Sequence, residues 1–343
     1  MLMYILRRSI TMAWTLLAIS VLIFAIINLP DGNYLTNQIR ELMVTGEEAS
    51  IAKAKFLLQQ YSLDKPLVEQ YAIWLGVWPG PNGFSGILQG DFGYSFELDR
   101  PVSDIVTESM WFTIGLNLVV VLFVYMTALP LGALAAVRAN TWIDYLTSLI
   151  GYLGLATPNF LLALVLMYYG NKAVGLPIGG GMAKEFLDEP MSFAKFGSIM
   201  LHMIAPVIVI GTAGMAGMTR RLRANLMDEL GKPYVTTAEA KGVSPTRTVV
   251  KYPLRMALNP FIADIGNLLP QLVSGSVLVS VVMSLPTIGP ILLSALRSQD
   301  IFLSGFILLF VSALTLVGML ISDLLLAVVD PRIRLAGKSG NQR

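Results

Sequence analysis

The chain holds one histidine, His202, and no cysteine. No site needing two imidazoles, no thiolate metal centre, no disulfide and no cysteine nucleophile can therefore form within it. Zinc proteolysis through His-Glu-x-x-His fails on the same count, and no Gly-x-Ser-x-Gly elbow presents a serine. A phosphate-binding loop needs Gly-x-x-x-x-Gly-Lys-Ser/Thr so that backbone amides can wrap the phosphates. Only its end is present, as Gly337-Lys338-Ser339, because Arg332 stands where the first glycine is required. No enzymatic activity, cofactor or metal is expected in this chain. What remains is polar groups set in apolar runs. Asp264 and Asp323 could relay protons in a secondary transporter, since ionisable groups inside a membrane span are costly and by default functional. The favoured reading is that both lie near the interface, hydrogen-bonded to Asn259, Asn267 or Ser322, and hold helices together. Asn117, Asn159 and Asn267 could line a polar path or act as interhelical glue, and His202 reads as an interfacial or packing residue.

The elements that must position these groups follow from composition. Of 343 residues, 55% are hydrophobic and 13% charged, against roughly 25% charged in an ordinary soluble domain. The expected fold is an all-α membrane protein. Six segments are long enough for the roughly 20 helical residues that a bilayer requires, at 9–29, 110–137, 145–170, 197–219, 257–283 and 302–329. The first follows Arg7-Arg8, as a signal peptide would. Its apolar run is longer than a signal peptide's, and Asn28-Leu29-Pro30-Asp31 offers no small-residue cleavage site, so a retained span is expected. Gly211, Gly214 and Gly217 with Ala213 and Ala216 give the fourth segment a face for close helix approach. Pro130, Pro158, Pro206 and Pro270 should kink their spans.

Charge sets the orientation. With the N-terminus cytoplasmic, 15 of the 24 Lys and Arg fall on that side and 15 of the 22 acids on the other, the asymmetry expected when basic loops resist translocation. Both termini are then cytoplasmic. The partner of this surface is membrane lipid and not nucleic acid, because no aromatic stacking platforms interleave with the basic residues. The organisation expected is an N-terminal segment with the first span over 1–30, an external cap over 31–108, a five-helix core over 109–335 and a tail over 336–343. In the cap, Ile39, Leu42, Met43, Ile51, Phe56 and Leu57 recur at spacings that suit short amphipathic helices.

Within the core, 220–256 is the expected cytoplasmic loop. Arg220 to Leu230 continues the fourth span as a helix, closed by Gly231 with Pro233 beyond. Thr237, Ala238 and Ala240 leave little bulk on the next short helix, Gly242 permits a sharp bend, and Ser244-Pro245 can start another helix. Composition alone leaves this segment open between a docking element and an ordinary connecting helix.

Tyr234-Val235-Thr236-Thr237-Ala238-Glu239-Ala240-Lys241-Gly242 resembles the EAA loop of ABC-importer permease subunits, specifically the B-type subunit of the dipeptide/oligopeptide family. The similarity continues in Tyr4-Ile5-Leu6-Arg7-Arg8, in Gln89-Gly90-Asp91-Phe92-Gly93-Tyr94-Ser95-Phe96 with Arg100-Pro101-Val102, in Ala156-Thr157-Pro158-Asn159-Phe160, and in Asp323 with Asp330-Pro331-Arg332-Ile333-Arg334. The resemblance implies a six-span importer permease of the bacterial inner membrane. It would pair with a second permease subunit, two cytoplasmic ATPase subunits that hold ATP and magnesium, and an external solute-binding protein. It also implies that Thr237, Ala238, Glu239, Ala240, Lys241 and Gly242 form the coupling helix that meets the ATPase. Ser280 stands where the peptide branch carries an acid near the translocation route, and Pro286-Thr287-Ile288-Gly289 replaces its Pro-Gly-x-Gly turn. A peptide is the expected solute, with an oligosaccharide, an opine or nickel as the alternatives within the same family.

Overall fold

A computed structural model of the chain describes the backbone of residues 2–30, 32–170, 172, 175 and 177–329 and, among these, the side chains of all but 2, 4, 263–274 and 326–329. Among the described residues the regular structure is helical apart from one two-stranded antiparallel ribbon. In order come α1 (Leu2–Ile27), α2 (Tyr34–Val44), α3 (Glu48–Gln60), α4 (Leu67–Leu75), β1 (Tyr94–Ser95), β2 (Arg100–Pro101) and α5 (Val102–Val137). They are followed by α6 (Trp142–Ala156), α7 (Asn159–Val165), α8 (Phe193–Leu230), α9 (Pro233–Ala240), α10 (Pro245–Lys251), α11 (Pro253–Ala257), α12 (Asn259–Val282), α13 (Ile288–Arg297) and α14 (Ile301–Val329). Tyr94 pairs with Pro101 and Ser95 with Arg100.

Among the described residues, four helices are long and apolar enough to cross a membrane: α1, α5, α8 and α14. The 36 residues of α5 and 38 of α8 reach about 54 and 57 Å at 1.5 Å per residue, well beyond a hydrocarbon layer of roughly 30 Å. Both helices run through a proline, Pro130 and Pro206, without ending. The third expected segment differs. In place of one kinked helix over 145–170 there are two, α6 and α7, meeting at 97°, which make a fifth crossing only if counted together. Pro158 drives its predecessor out of the α region, and Thr157 accordingly sits extended at φ −90°, ψ 119°. The Thr157 hydroxyl then closes the end of α6 on the Leu153 carbonyl at 2.8 Å. A π-helical turn, Leu166–Gly170, follows α7. The fifth expected segment coincides with α12, although the side chains of Asp264 and Asn267 lie outside the described residues.

The chain divides into two compact units, one built on Phe112–Gly289 and one on Arg7–Trp111 with Pro290–Leu314. In the first, here the central unit, the core draws Leu116, Val120 and Val124 from α5, Val207, Ile210, Met218, Leu222 and Leu226 from α8, and Phe261 from α12. Small residues set its spacing. A Cβ on Gly211 would lie 2.5 Å from the Phe123 ring and one on Gly214 3.3 Å from Val124, whereas Gly217 meets nothing within 4 Å. The expected small-residue face of α8 therefore packs at two of its three glycines. In the second, here the N-terminal unit, Leu35 and Ile39 of α2 and Ala54 of α3 form a smaller core with Leu42, Leu57, Leu58, Tyr61 and Phe96 around it. Helix α2 starts in a capping box, Asn33 Oδ1 accepting from Thr36 N–H at 2.8 Å while Thr36 Oγ1 accepts from Asn33 N–H at 2.6 Å. Of the apolar residues expected on amphipathic faces there, Ile39 is buried, but Met43 and Phe56 are exposed.

Candidate functional site

The site is built from the end of α8 outward. Thr219 and Leu222 hold this helix against α5 so closely that a Cβ on Gly132 would meet the Thr219 carbonyl and the Leu222 Cβ at 2.9 Å each. Leu222 and Leu226 are fully buried. The apolar contact thus carries α8 as one rigid piece to Leu230, where Gly231 caps it. Lys232 leads into α9, whose first residue is Pro233, the position where a missing N–H costs nothing.

Helix α9 has an inner and an outer face. Val235 and Ala238 are buried; Tyr234, Thr236, Thr237, Glu239, Ala240, Lys241 and Gly242 are exposed. The hexad expected to meet a partner is therefore five residues of outer face plus Ala238, which turns inward. Both threonine hydroxyls, Thr236 and Thr237, bond the Pro233 carbonyl at 2.8 Å. Both hydroxyls are thereby spent within the first turn of the helix. The helix ends in a Schellman motif: Gly242 N–H bonds the Glu239 carbonyl at 2.9 Å and Val243 N–H the Ala238 carbonyl at 3.2 Å. Gly242 lies at φ +80°, a left-handed conformation that costs an L-residue roughly 1–2 kcal/mol. A Cβ there would touch nothing within 4 Å, so glycine is needed for its backbone and not for space. At the other end, Tyr234 donates to the Glu229 carboxylate. Burial first, and then that acceptor, push the phenol up to about 12. It stays neutral at any physiological pH and ties α9 back to the last turn of α8.

An ion pair 79 residues apart in sequence braces the same region. Arg223 Nε and Nη2 bond Asp144 Oδ1 and Oδ2 at 2.5 and 2.7 Å, a fork-to-fork geometry. Asp144 is 2% exposed and accepts a further bond from Asn140 N–H at 2.9 Å, so α6, the turn before it and α8 move together. Sequence analysis singled out neither residue, because nothing local links positions 144 and 223.

The polar residues of the apolar segments fall into separate settings. Asn117 is buried, its amide donating to the Thr113 carbonyl at 2.8 Å, and its own carbonyl oxygen has no partner among the described residues. The Ser280 hydroxyl is likewise buried without one. Their neighbours Leu116, Val120, Val279 and Met283 share the central core, and Thr113, one turn before Asn117, accepts from Ile288 N–H at 2.9 Å. Asn159 stands at the first position of α7, half-buried, just past the break. Ser322, expected to bond an acid, instead donates to the Ile262 carbonyl at 2.8 Å, joining α14 to α12. Asp323, next to it, is half-buried. His202 is buried within α8, its Nδ1 2.8 Å from the Ser198 carbonyl one turn back, which is a packing role. Among the described residues no three potential metal ligands gather.

The comparisons with known proteins give this helical fold its class. Residues 128–335 match the model of the binding-protein-dependent transport system inner membrane component, and 1–117 match that family's N-terminal model. The chain belongs to this family: it is an importer permease, a multi-pass protein of the inner membrane and one component of a larger transport system. It is 34% identical over 332 residues to the oligopeptide transport system permease protein AppB of Bacillus subtilis, covering 96% of this chain and 98% of that one. It is 30% identical over 353 residues to the dipeptide transport system permease protein DppB of Escherichia coli K12, covering 97% and 99%. Among solved structures, the MetNI methionine ABC transporter shares the fold with a TM-score of 0.53 at 18% identity, over 66% of this chain and 96% of that one.

Proposed function

We propose that this chain, with a second permease subunit, forms the translocation path for a di- or oligopeptide that an external solute-binding protein delivers. Two ATPase subunits, holding ATP and magnesium, dock on α9 from the cytoplasm and supply the free energy. Both termini face the cytoplasm, as the basic residues of 1–8 and 219–256 favour. The observation that carries the reading is α9 itself: a short helix with a small, exposed outer face, fixed at one end by Tyr234 and Glu229 and at the other by a glycine cap, on the rigid extension of α8. Such a lever transmits motion because a partner that binds one of its positions more tightly shifts the equilibrium by that difference in affinity. Thr237, Glu239, Ala240, Lys241 and Gly242 make the contact, and Ala238 seats the helix from within. Support for the solute comes from similarity to the oligopeptide and dipeptide permeases over nearly the whole chain. Asn117 and Ser280, buried with unmet polar atoms, and Asn159 and Asn267 contribute to the path.

Uptake of a labelled tripeptide into proteoliposomes holding the complete system tests this. ATP-dependent accumulation that persists with a proton ionophore supports it. Accumulation that follows the proton gradient without ATP contradicts it, and competition by an oligosaccharide or nickel in place of peptides would move the solute assignment.

A further inference from the structure

The N-terminal unit holds a half-open cavity of about 310 Å³, at the lower end of the roughly 300–1,000 Å³ typical of small-molecule sites. Its walls are aromatic: Tyr61, Trp74 and Phe92 stand among its lining residues, and each is held by a further ring. Tyr61 packs edge-on to Phe96 with centroids 4.9 Å apart, Trp74 lies 5.6 Å from Phe24, and Phe92 stacks on Phe306 at 4.0 Å. The loop closing one side is equally fixed. A Cβ on Gly86 would sit 2.5 Å from the Gly76 nitrogen and 2.7 Å from the Ile73 carbonyl, so this backbone approach admits glycine alone. The cavity is preformed.

Its charge is one-sided. Gln60, Gln70 and Asn82 are neutral, and among the described residues of the wall Asp91, which is exposed, is the single charged group, with no Lys, Arg or His beside it. Asp91 is positioned by the Ser85 hydroxyl and by Gly93 N–H at 3.1 Å, which leaves carboxylate lone pairs for a further donor. Burial and the nearby Asp91 charge both hold the Tyr61 phenol in its neutral form.

We infer that this cavity is a binding site for a small organic cation, an ammonium carrying an aromatic or aliphatic group, with Asp91 taking the charge and Tyr61, Trp74 and Phe92 the apolar part. A carboxylate with no competing base selects for positive charge, and aromatic faces add attraction for the same cation. The site lies wholly within the N-terminal unit, apart from α9 and from Asn117 and Ser280, and does not depend on which solute is carried.

The test titrates the full-length protein in lipid nanodiscs with phenethylammonium chloride, read by tryptophan fluorescence and by calorimetry, alongside phenylacetate and 2-phenylethanol, which offer the same ring with opposite or no charge. Saturable binding of the ammonium, at least tenfold tighter than either analogue, is expected. In Asp91→Asn, whose amide can keep the loop contacts, the ammonium should lose at least tenfold while 2-phenylethanol is unchanged. Equal binding of all three probes, no saturable binding, or an unaltered ammonium affinity in Asp91→Asn with the melting temperature of the parent would each overturn the inference.

Discussion

The arm that follows α8 and the N-terminal unit both carry short helices, yet they are stabilised in opposite ways. In the arm every bond that shapes α9 is local: Tyr234 to Glu229, Thr236 and Thr237 to Pro233, Gly242 to Glu239. In the N-terminal unit the key bonds close across some two hundred residues of chain. The Ser95 hydroxyl donates to Asp300 Oδ2 at 2.7 Å, the Ser294 hydroxyl to Glu97 Oε1 at 3.0 Å, and Tyr34 N–H to the Gln299 carbonyl at 3.2 Å. A locally fixed helix can present its outer face to another molecule without losing its shape. A unit closed by distant segments can instead hold a preformed cavity. The arm is suited to a protein partner and the N-terminal unit to a small ligand.

The sharpest way to break the contrast is to undo the brace that anchors the arm. Arg223→Ala leaves Asp144 buried and unpaired, a class of change costing roughly 3–5 kcal/mol. With Arg223 partly open to solvent, about 3 kcal/mol is expected, read as a lower melting temperature of the purified complex. The double variant Asp144→Ala/Arg223→Ala should recover part of that loss, since no unpaired charge remains.

Next in size is the cap of α9. Gly242→Val should cost roughly 1–2 kcal/mol of local backbone strain and reduce ATP-driven uptake at least tenfold while leaving the spans folded. Gly242→Asn, which tolerates the left-handed conformation, should keep most of the activity. Equal uptake in both variants and the parent would remove the lever argument.

Smaller effects are expected in the N-terminal unit. Ser95→Ala deprives buried Asp300 of a donor and should destabilise that unit by about 1–2 kcal/mol, seen as faster amide exchange there than in the arm. Smallest is a pH effect. Burial raises the Asp300 carboxyl above its ordinary 3.8, outweighing the Ser95 hydroxyl and the Leu303 amide, which pull it down. A carboxyl raised in the folded state binds its proton more tightly there than when unfolded. Its contribution to stability is therefore present below pH 3.8 and lost as pH rises through the raised value. Amide exchange in this unit should slow on acidification across that window, and Asp300→Asn should flatten the dependence.

The same contrast explains what the sequence disclosed. In the arm, Pro233, Gly242 and Pro245 act through their own backbones, so the helix, its cap and the restart were legible residue by residue. Apolar length likewise revealed α1, α5, α8 and α14. The break at Thr157-Pro158 was not legible, because Pro206 inside α8 carries the same local signal without breaking its helix. Pro206 is buried in the central core between Ala205 and Val207, whereas Pro158 is exposed; packing decides, and packing is not local. For the same reason the Asp144 to Arg223 pair, the inward turn of Ala238 and the Ser95 to Asp300 bond could be found only once the chain was folded.

The central claim is that the outer face of α9 is gripped by an ATP-hydrolysing partner. Because the chain has no cysteine, Ala240→Cys introduces a unique one on that face. Crosslinking from this position in actively transporting vesicles, with mass spectrometry of the product, should recover an ATPase subunit in a yield that changes when a non-hydrolysable ATP analogue is added. A cysteine at 240 that never reaches a nucleotide-hydrolysing protein, in vesicles whose uptake is intact, would contradict the account.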